Sequence, residues 1–110
     1  MKQKELNDFK RKYFNLSIRR YQGHIVHDPG TSHQHRELVN RVCEWLNDNK
    51  YIYFTRVHLK EGKIADIVAP ELPRPIIEVR HSELEKNKEY LSDYDYLRIM
   101  VDTTDPYKLR

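Results

Sequence analysis

The chain has 110 residues, which is enough for one small domain with a single hydrophobic core. Its hydrophobic share of 38% and charged share of 34% are typical of a folded protein with a highly charged surface. The single cysteine, Cys43, excludes an internal disulfide, and no apolar run approaches the ~18 residues that span a bilayer. We therefore expect a soluble, cytoplasmic protein with no membrane segment, in which Cys43 is a core residue.

Positive charge is concentrated at the beginning of the chain. Residues 1–23 carry seven Lys or Arg against two acidic residues, a net charge of +5, whereas residues 24–110 carry thirteen against fifteen, a net charge of −2. We divide the chain here into a basic N-terminal helix or arm, 1–23, and a single α/β domain, 24–110. A basic arm favours contact with a polyanion, although a solvated helix face has the same composition.

Two helices are predicted before any strand. Apolar residues three or four positions apart predict the first helix within residues 4–22, with Gly23 as its C-cap. After a connector with a Pro-Gly turn, Thr31 or Ser32 is a suitable N-cap for a second helix that reaches about Asn49. The residues expected to form its buried stripe are Leu38, Val39, Val42, Trp45 and Leu46.

The rest of the chain changes to the pattern of strands. Three strands rich in β-branched and aromatic residues are predicted at 51–59, 63–69 and 75–81. A turn at Glu61-Gly62-Lys63 separates the first two, and a proline-rich turn separates the second from the third. Ser82 and Glu85 match a capping box for a third helix over 83–92, which a fourth strand follows at 96–102. The crossover through that helix predicts a fourth strand parallel to the third, in a mixed four-stranded sheet flanked by helices.

Two carboxylates interrupt the apolar strands. Strand alternation predicts that Ile64, Asp66 and Val68 share one face, and that Glu78 and Arg80 share a face of the next strand. A carboxylate in such a run is costly unless it is paired or holds a cation. Two of them on neighbouring strands can converge on one Mg²⁺ or Mn²⁺ ion. The alternative is a buried ion pair between acid and arginine that serves only structure.

The run from Asp66 to Arg80, D-IVAPELPRPII-E-V-R, resembles the Asp–spacer–(Asp/Glu)–x–Lys signature of the PD-(D/E)XK nuclease superfamily. The predicted order of helices and strands is also that of the restriction-endonuclease-like core, α-β-β-β-α-β. Within the superfamily, residues 30–102 are most similar to archaeal Holliday-junction resolvases and related small nucleases. The stretch PGTSHQHRELVNRVCEWL resembles the first helix of those proteins. The resemblance implies a Mg²⁺- or Mn²⁺-dependent endonuclease acting on DNA as a homodimer, with no small-molecule cofactor.

The resemblance also implies a set of metal ligands. Asp66, Glu78 and the carbonyl of Val79 take the positions of the ligands, and Arg80 takes the position of the family's lysine. An arginine can hold a phosphate or orient a water, but it does not give up a proton and so is not a base.

The sequence departs from the family pattern at two positions, Arg80 and His35. Because Arg80 is not a base, the role of the family's lysine would pass to Lys86 or Lys88 of the predicted third helix. The acidic residue of the family's first helix corresponds to His35, which lies along the buried stripe, whereas Glu37 lies nearly opposite. His35 can bind a metal or phosphate or move a proton, and a helix-start histidine with a polar partner is the equally simple interpretation.

Basic residues supply the expected contacts to the nucleic-acid backbone, which give affinity without reading sequence. They are Lys10, Arg11, Lys12, Arg19, Arg20, Arg36 and Lys63. Two alternatives stay open: a catalytically impaired nuclease fold that only binds nucleic acid, and a protein-interaction module in which residues 1–23 dock a partner.

Overall fold

The computed structural model describes residues 1–80 and 98–102. In this part of the chain the helices are α1 (Gln3–Tyr13) and α2 (His33–Asp48), and the strands are β1 (Phe54–His58), β2 (Ile64–Val68), β3 (Ile76–Arg80) and β4 (Arg98–Asp102). The sheet order is β1-β2-β3-β4, in which β1 and β2 and also β2 and β3 are antiparallel, and β3 and β4 are parallel. The protein is therefore a small α/β protein. The third helix predicted over 83–92, with Lys86 and Lys88, lies outside the described residues, and so does the tail 103–110.

Helix α2 begins where its capping residue predicts. The side chain of Ser32 accepts a hydrogen bond from the backbone N–H of His35 at 3.1 Å, which satisfies one of the free amides of the first turn. Its apolar stripe is buried as expected, except that Trp45 is half-buried and stacks on Tyr51 at a ring distance of 5.8 Å. Cys43 is 1% exposed, which confirms that it belongs to the core.

The first helix is shorter than the spacing of its apolar residues predicts. It ends at Tyr13, so the prediction of a helix as far as residue 22 is wrong. Phe14 leaves the helix in an extended conformation, packs edge-on against Phe54 at a ring distance of 5.3 Å, and forms an isolated bridge with Leu59. Burial of Phe14 against β1 therefore overrides the helical spacing of the residues that follow.

The segment after Phe14 forms turns and not a continued helix. Asn15 accepts hydrogen bonds from both the backbone N–H and the hydroxyl of Ser17, an arrangement that competes with helix formation. Gly23 has φ +76° and serves a turn, not the helix C-cap that was predicted. Leu16 and Tyr21, two of the apolar residues whose spacing predicted the longer helix, are 52% and 61% exposed.

The sheet separates two apolar clusters. The α2 side is formed by the stripe of α2 with Ile67, Ala69, Ile77 and Val79. The α1 side is formed by Leu6 and Tyr13 of α1, Phe14, and the strand residues Phe54, Val57, Ala65, Val68 and Ile76. Because α1 buries Leu6 and Tyr13 against the sheet, it is an integral layer of the fold and does not extend from it.

Candidate functional site

A coupled irregularity in β1 and β2 shapes the site. The register pairs Thr55 with Ile67 and Val57 with Ala65, so that Arg56 stands opposite Asp66. Arg56 has φ +46°, in the left-handed region that residues other than glycine rarely adopt. Such a conformation costs on the order of 1–3 kcal/mol and persists only where the surroundings hold it.

The irregularity shifts the alternation of both strands by one residue. Phe54 and Val57 both contact the α1 side, and so do their partners Val68 and Ala65. Asp66 consequently points towards α2, whereas Val68 points away from it. The prediction that Asp66 and Val68 share a face is therefore wrong, because regular alternation was assumed through Asp66.

Arg56 and Asp66 open onto one cavity of about 200 Å³ between the sheet, the start of α2 and the loop before it. The charged and titratable residues that line it are His27, Asp28, His35, Arg56 and Asp66. Of these, the sequence identified His35 and Asp66 as site residues. The structure thus brings together two of the predicted residues and adds three that were not predicted.

Asp66 is the residue that joins the helix to the third strand. Its Oδ1 lies 3.3 Å from Nε2 of His35, and its Oδ2 accepts the backbone N–H of Val79 at 2.8 Å. The side chains of His35 and Asp66 are 14% and 27% exposed, so the pair is shielded from solvent but reachable from the cavity. The placement of His35 on the inner face of α2 is confirmed by this contact. Glu37, 54% exposed, faces away and lies 3.8 Å from His33.

Glu78 is a buried carboxylate, 6% exposed, on the strand that Asp66 contacts. The pairs Ile67–Ile77 and Val68–Ile76 define the register of β2 and β3, and its next step places Asp66 opposite Glu78. The peptide N–H that Asp66 accepts is the one between Glu78 and Val79. Since Ile77 and Val79 face α2, alternation directs the Glu78 side chain to the α1 side, opposite to the face on which Asp66 meets His35.

The Arg56 guanidinium has a weak partner in the cavity. Its Nη2 lies 3.5 Å from Oδ2 of Asp28, and the two side chains are 32% and 49% exposed. An ion pair of this length and exposure contributes about 0–1 kcal/mol, so it exchanges readily for another anion. A hydrogen bond also holds the backbone of Arg56, because Nε of Arg20 donates to the Arg56 carbonyl oxygen at 2.9 Å.

Arg20 and Arg56 both lie close enough to His58 to affect its pKa. Burial lowers the pKa of His58, and the guanidinium groups of Arg20 and Arg56 lower it further. Burial raises the pKa of the Cys43 thiol to about 12, so this thiol keeps its proton at neutral pH, as is typical of a core cysteine.

The loop that supplies His27 and Asp28 is fastened to β1 by one hydroxyl. Thr55, 1% exposed, donates to the carbonyl of His24 at 2.9 Å and accepts the N–H of Val26 at 2.7 Å. Within the loop, Asp28 Oδ1 accepts the N–H of Gly30 at 2.9 Å. These bonds hold Asp28 in front of Arg56. The predicted Pro-Gly turn indicates a loop here, but no sequence pattern indicates that the loop docks against Thr55.

Oxygen donors for a divalent cation are present around Asp66. Each carboxylate oxygen has two lone-pair directions, so Asp66 retains acceptor positions beside its bonds to His35 and Val79. Among the described residues, no group of three or more His, Cys, Asp or Glu side chains is placed to hold a metal. The predicted ligands, the carboxylates of Asp66 and Glu78 and the Val79 carbonyl, are oxygen donors of the kind that a hard ion takes, but alternation places the two carboxylates on opposite faces of the sheet.

The basic residues predicted to contact nucleic acid differ in their surroundings. Lys10 and Lys12 lie over aromatic rings, those of Phe54 and Tyr13, at 5.4 and 5.3 Å from the ring centroids. Arg11 pairs with Asp8 at 3.4 Å. Arg19 is exposed, whereas Arg20, Arg36 and Lys63 are half-buried. The side chain of Arg80 lies outside the described part of the chain.

A scan of protein-family models, a search of curated proteins and a search of solved structures each find no match to this chain. In the part of the chain that the structure describes, neither helix is long and apolar enough to cross a membrane.

Proposed function

We propose that this chain is a Mg²⁺- or Mn²⁺-dependent phosphodiesterase that acts on DNA, with a restriction-endonuclease-like arrangement of its sheet. The observation that carries the proposal is the position of Asp66, whose two oxygens meet His35 and the Glu78–Val79 peptide. The order of the described elements agrees with it, since α2 is followed by three antiparallel strands and by β4 parallel to β3.

In this proposal Asp66, Glu78 and the Val79 carbonyl hold the ion. For Glu78 to supply the second carboxylate, its side chain has to turn from the α1 side towards Asp66. A bound divalent ion lowers the pKa of a coordinated water to supply hydroxide, and it neutralises charge that develops on the phosphate. His35 holds the Asp66 carboxylate in place and is available to move a proton, because its ring reaches the cavity. Arg80 keeps its proposed role as a phosphate ligand.

Arg56 adds a phosphate-binding group that the sequence did not identify. Its guanidinium lies in the same cavity as Asp66 and presents more donors than its long contact to Asp28, its one ion pair among the described residues, uses. A phosphodiester that enters the cavity competes with Asp28 for Arg56. Charge-assisted bonds from arginine to phosphate are the stronger of the two, since they are short and bidentate.

A homodimer completes the proposal. The described chain is small, with a radius of gyration of 13.2 Å, and one copy covers a short stretch of DNA. A two-fold pair of sites suits a symmetric substrate such as a branched junction.

A second candidate is a nuclease-fold protein that binds nucleic acid without cutting it. One observation favours it: both oxygens of Asp66 already have protein partners, so the carboxylate is satisfied without a cation. Under this alternative, Arg56 and the cavity bind phosphate as described, and no metal-dependent cleavage occurs.

The experiment is a cleavage assay with Mn²⁺ on branched, flapped and linear DNAs. The parent chain is compared with Asp66→Asn and Glu78→Ala, and with Glu37→Gln as the matched control, since Glu37 is an exposed acid of α2 away from the cavity. We expect the two site variants to lose at least a hundred-fold in rate and the control to retain it. Equal cleavage by all four proteins, or none by the parent on any substrate, contradicts the proposed function.

A further inference from the structure

The segment after α1 carries an unusual amount of exposed apolar surface. Among the described residues six large hydrophobic side chains are exposed, and four of them fall within ten residues: Leu16, Ile18, Tyr21 and Ile25. We refer to residues 16–25 as the 16–25 surface. Exposed apolar side chains that are scattered singly need no explanation, but a contiguous set of them marks an interaction site.

Basic residues surround this apolar surface. A groove of about 250 Å³ is lined by Leu16, Ile18 and Tyr21 together with Lys10, Arg19 and Arg20, and none of the described residues that line it is acidic. Arg20 is engaged with the carbonyls of Arg56 and Arg19, and Lys10 lies over the Phe54 ring, so Arg19 is the exposed cation of this groove and Lys10 stands beside it. A partner for this groove is therefore negatively charged and has apolar or aromatic faces.

Tyr21 presents the ring that such a partner would meet. Its side chain is 61% exposed, and its only described ring neighbour is His24, tilted by 44° at a centroid distance of 5.7 Å. A ring held in this way offers one face for stacking. A duplex buries its base faces within the helix, whereas unpaired nucleotides expose both base faces and phosphates.

We propose that the 16–25 surface binds unpaired nucleotides, with a base stacked on Tyr21 and the backbone phosphates beside Lys10 and Arg19. This proposal rests on the proposed function in one respect, namely that the ligand of the protein is a nucleic acid. It also refines that function, because it assigns a substrate with a single-stranded portion, such as a flap or an open junction.

The test measures the affinity of the full chain for two fluorescent probes in EDTA, so that no cleavage intervenes. One probe is single-stranded oligo-dT and the other is a blunt duplex of the same length. Tyr21→Ala is compared with Tyr21→Phe, which keeps the stacking ring, and with Gln22→Ala, which changes the exposed neighbour. Because Tyr21 is mostly exposed, these variants should fold like the parent, and their unfolding curves check this.

We expect Tyr21→Ala to bind oligo-dT about ten-fold more weakly, with Tyr21→Phe and Gln22→Ala close to the parent and the duplex affinity unchanged. Two results overturn the proposal: an unchanged oligo-dT affinity of Tyr21→Ala, or an equal loss on both probes. If Tyr21→Ala instead converts a dimer to a monomer in sedimentation while its oligo-dT affinity stays at the parent value, a second copy covers this surface and the proposal is wrong.

The outcome is separable from that of the cleavage assay. Oligo-dT binding through Tyr21 without any DNA cleavage supports the 16–25 surface and contradicts the phosphodiesterase. If cleavage depends on Asp66 and the oligo-dT affinity does not depend on Tyr21, the phosphodiesterase is supported and the proposal for the 16–25 surface is wrong.

Discussion

Arg56 of β1 stands directly opposite Asp66 of β2, and the backbone of Arg56 takes a left-handed conformation with φ +46° at this point. The same irregularity turns Asp66 towards His35 and brings Arg56 into the cavity beside it. A strained residue inside a strand is expected where function requires it. The predictions below test the separate parts of this arrangement.

Asp28 is predicted to compete with phosphate for Arg56. Asp28→Asn keeps the oxygen that accepts the Gly30 amide but removes the charge facing Arg56, so it should strengthen binding of thymidine 3′,5′-bisphosphate by about two- to five-fold. Arg56→Ala should weaken that binding by about ten-fold or more. Isothermal titration calorimetry in EDTA measures both effects.

The control for net charge in this experiment is Asp8→Asn. Asp8 pairs with Arg11 on α1 at 3.4 Å, so its replacement removes the same charge from an exposed pair away from the cavity. We expect less than a two-fold change. Affinities of Asp28→Asn and Asp8→Asn that are equal, or weaker binding by Asp28→Asn, would show that Asp28 does not hold Arg56 away from phosphate.

Thr55→Val should loosen the loop that carries His27 and Asp28. The substitution keeps the shape of the side chain but leaves the His24 carbonyl and the Val26 amide without the hydroxyl, which costs about 1–3 kcal/mol of unfolding free energy. Urea denaturation measures the loss, and amide hydrogen exchange should show faster opening at Val26. Ser17→Ala, which removes an exposed hydroxyl in a local turn, is the control and should change stability by less than about 0.5 kcal/mol.

His35 distinguishes a chemical role from a structural one. Both His35→Ala and His35→Gln should lower the single-turnover cleavage rate by about 10²–10⁴-fold, because neither side chain can take up a proton. His35→Gln should nevertheless keep most of the folding stability, since its amide can donate to Asp66. Cleavage at the parent rate in His35→Gln would assign His35 to structure alone.

Glu71 is predicted to make the free energy of unfolding depend on pH in the acidic range. The backbone amide of Ile52 donates to Oε1 of Glu71 at 2.8 Å, and this bond is the main cause that holds the pKa of the carboxyl below its ordinary 4.5. A depressed pKa contributes stability that is fully present above the ordinary value and is lost as the pH falls through the folded-state value.

Glu71→Gln removes this titration while keeping an acceptor for the Ile52 amide. The parent should therefore be more stable than Glu71→Gln by about 1 kcal/mol at neutral pH, and the difference should shrink as the pH is lowered through the carboxyl range. Glu71→Ala removes the acceptor as well and should be less stable than both at every pH. Urea denaturation at a series of pH values measures the three curves; parallel curves for the parent and Glu71→Gln would contradict the assignment.

Local signals predicted the parts of the fold that depend on local contacts. Ser32 caps α2 as expected because the cap is a bond between residues three apart. The adjacent pairing of β2 and β3 was predicted because only a proline-rich turn separates the two strands in the sequence. His35 was placed correctly because helical periodicity alone decides which face of α2 it occupies.

The features that the sequence did not predict depend on contacts between residues far apart in the chain. The early end of α1 depends on Phe14 packing against Phe54, forty residues away, which the spacing of residues in α1 does not reveal. Nothing in the sequence distinguishes Arg56 from an ordinary strand residue, and only its left-handed backbone in the structure, opposite Asp66, shows that β1 is irregular there. The docking of the Asp28 loop on Thr55 is hidden from sequence patterns for the same reason.

The central claim is that Asp66, with Glu78 and the Val79 carbonyl, holds a divalent ion. The most direct measurement is anomalous scattering from crystals of the chain soaked in Mn²⁺. The account predicts the strongest anomalous peak bonded to the Asp66 carboxylate, and its loss in crystals of Asp66→Asn. A Mn²⁺ peak found only at other residues, and unchanged in Asp66→Asn, would contradict it.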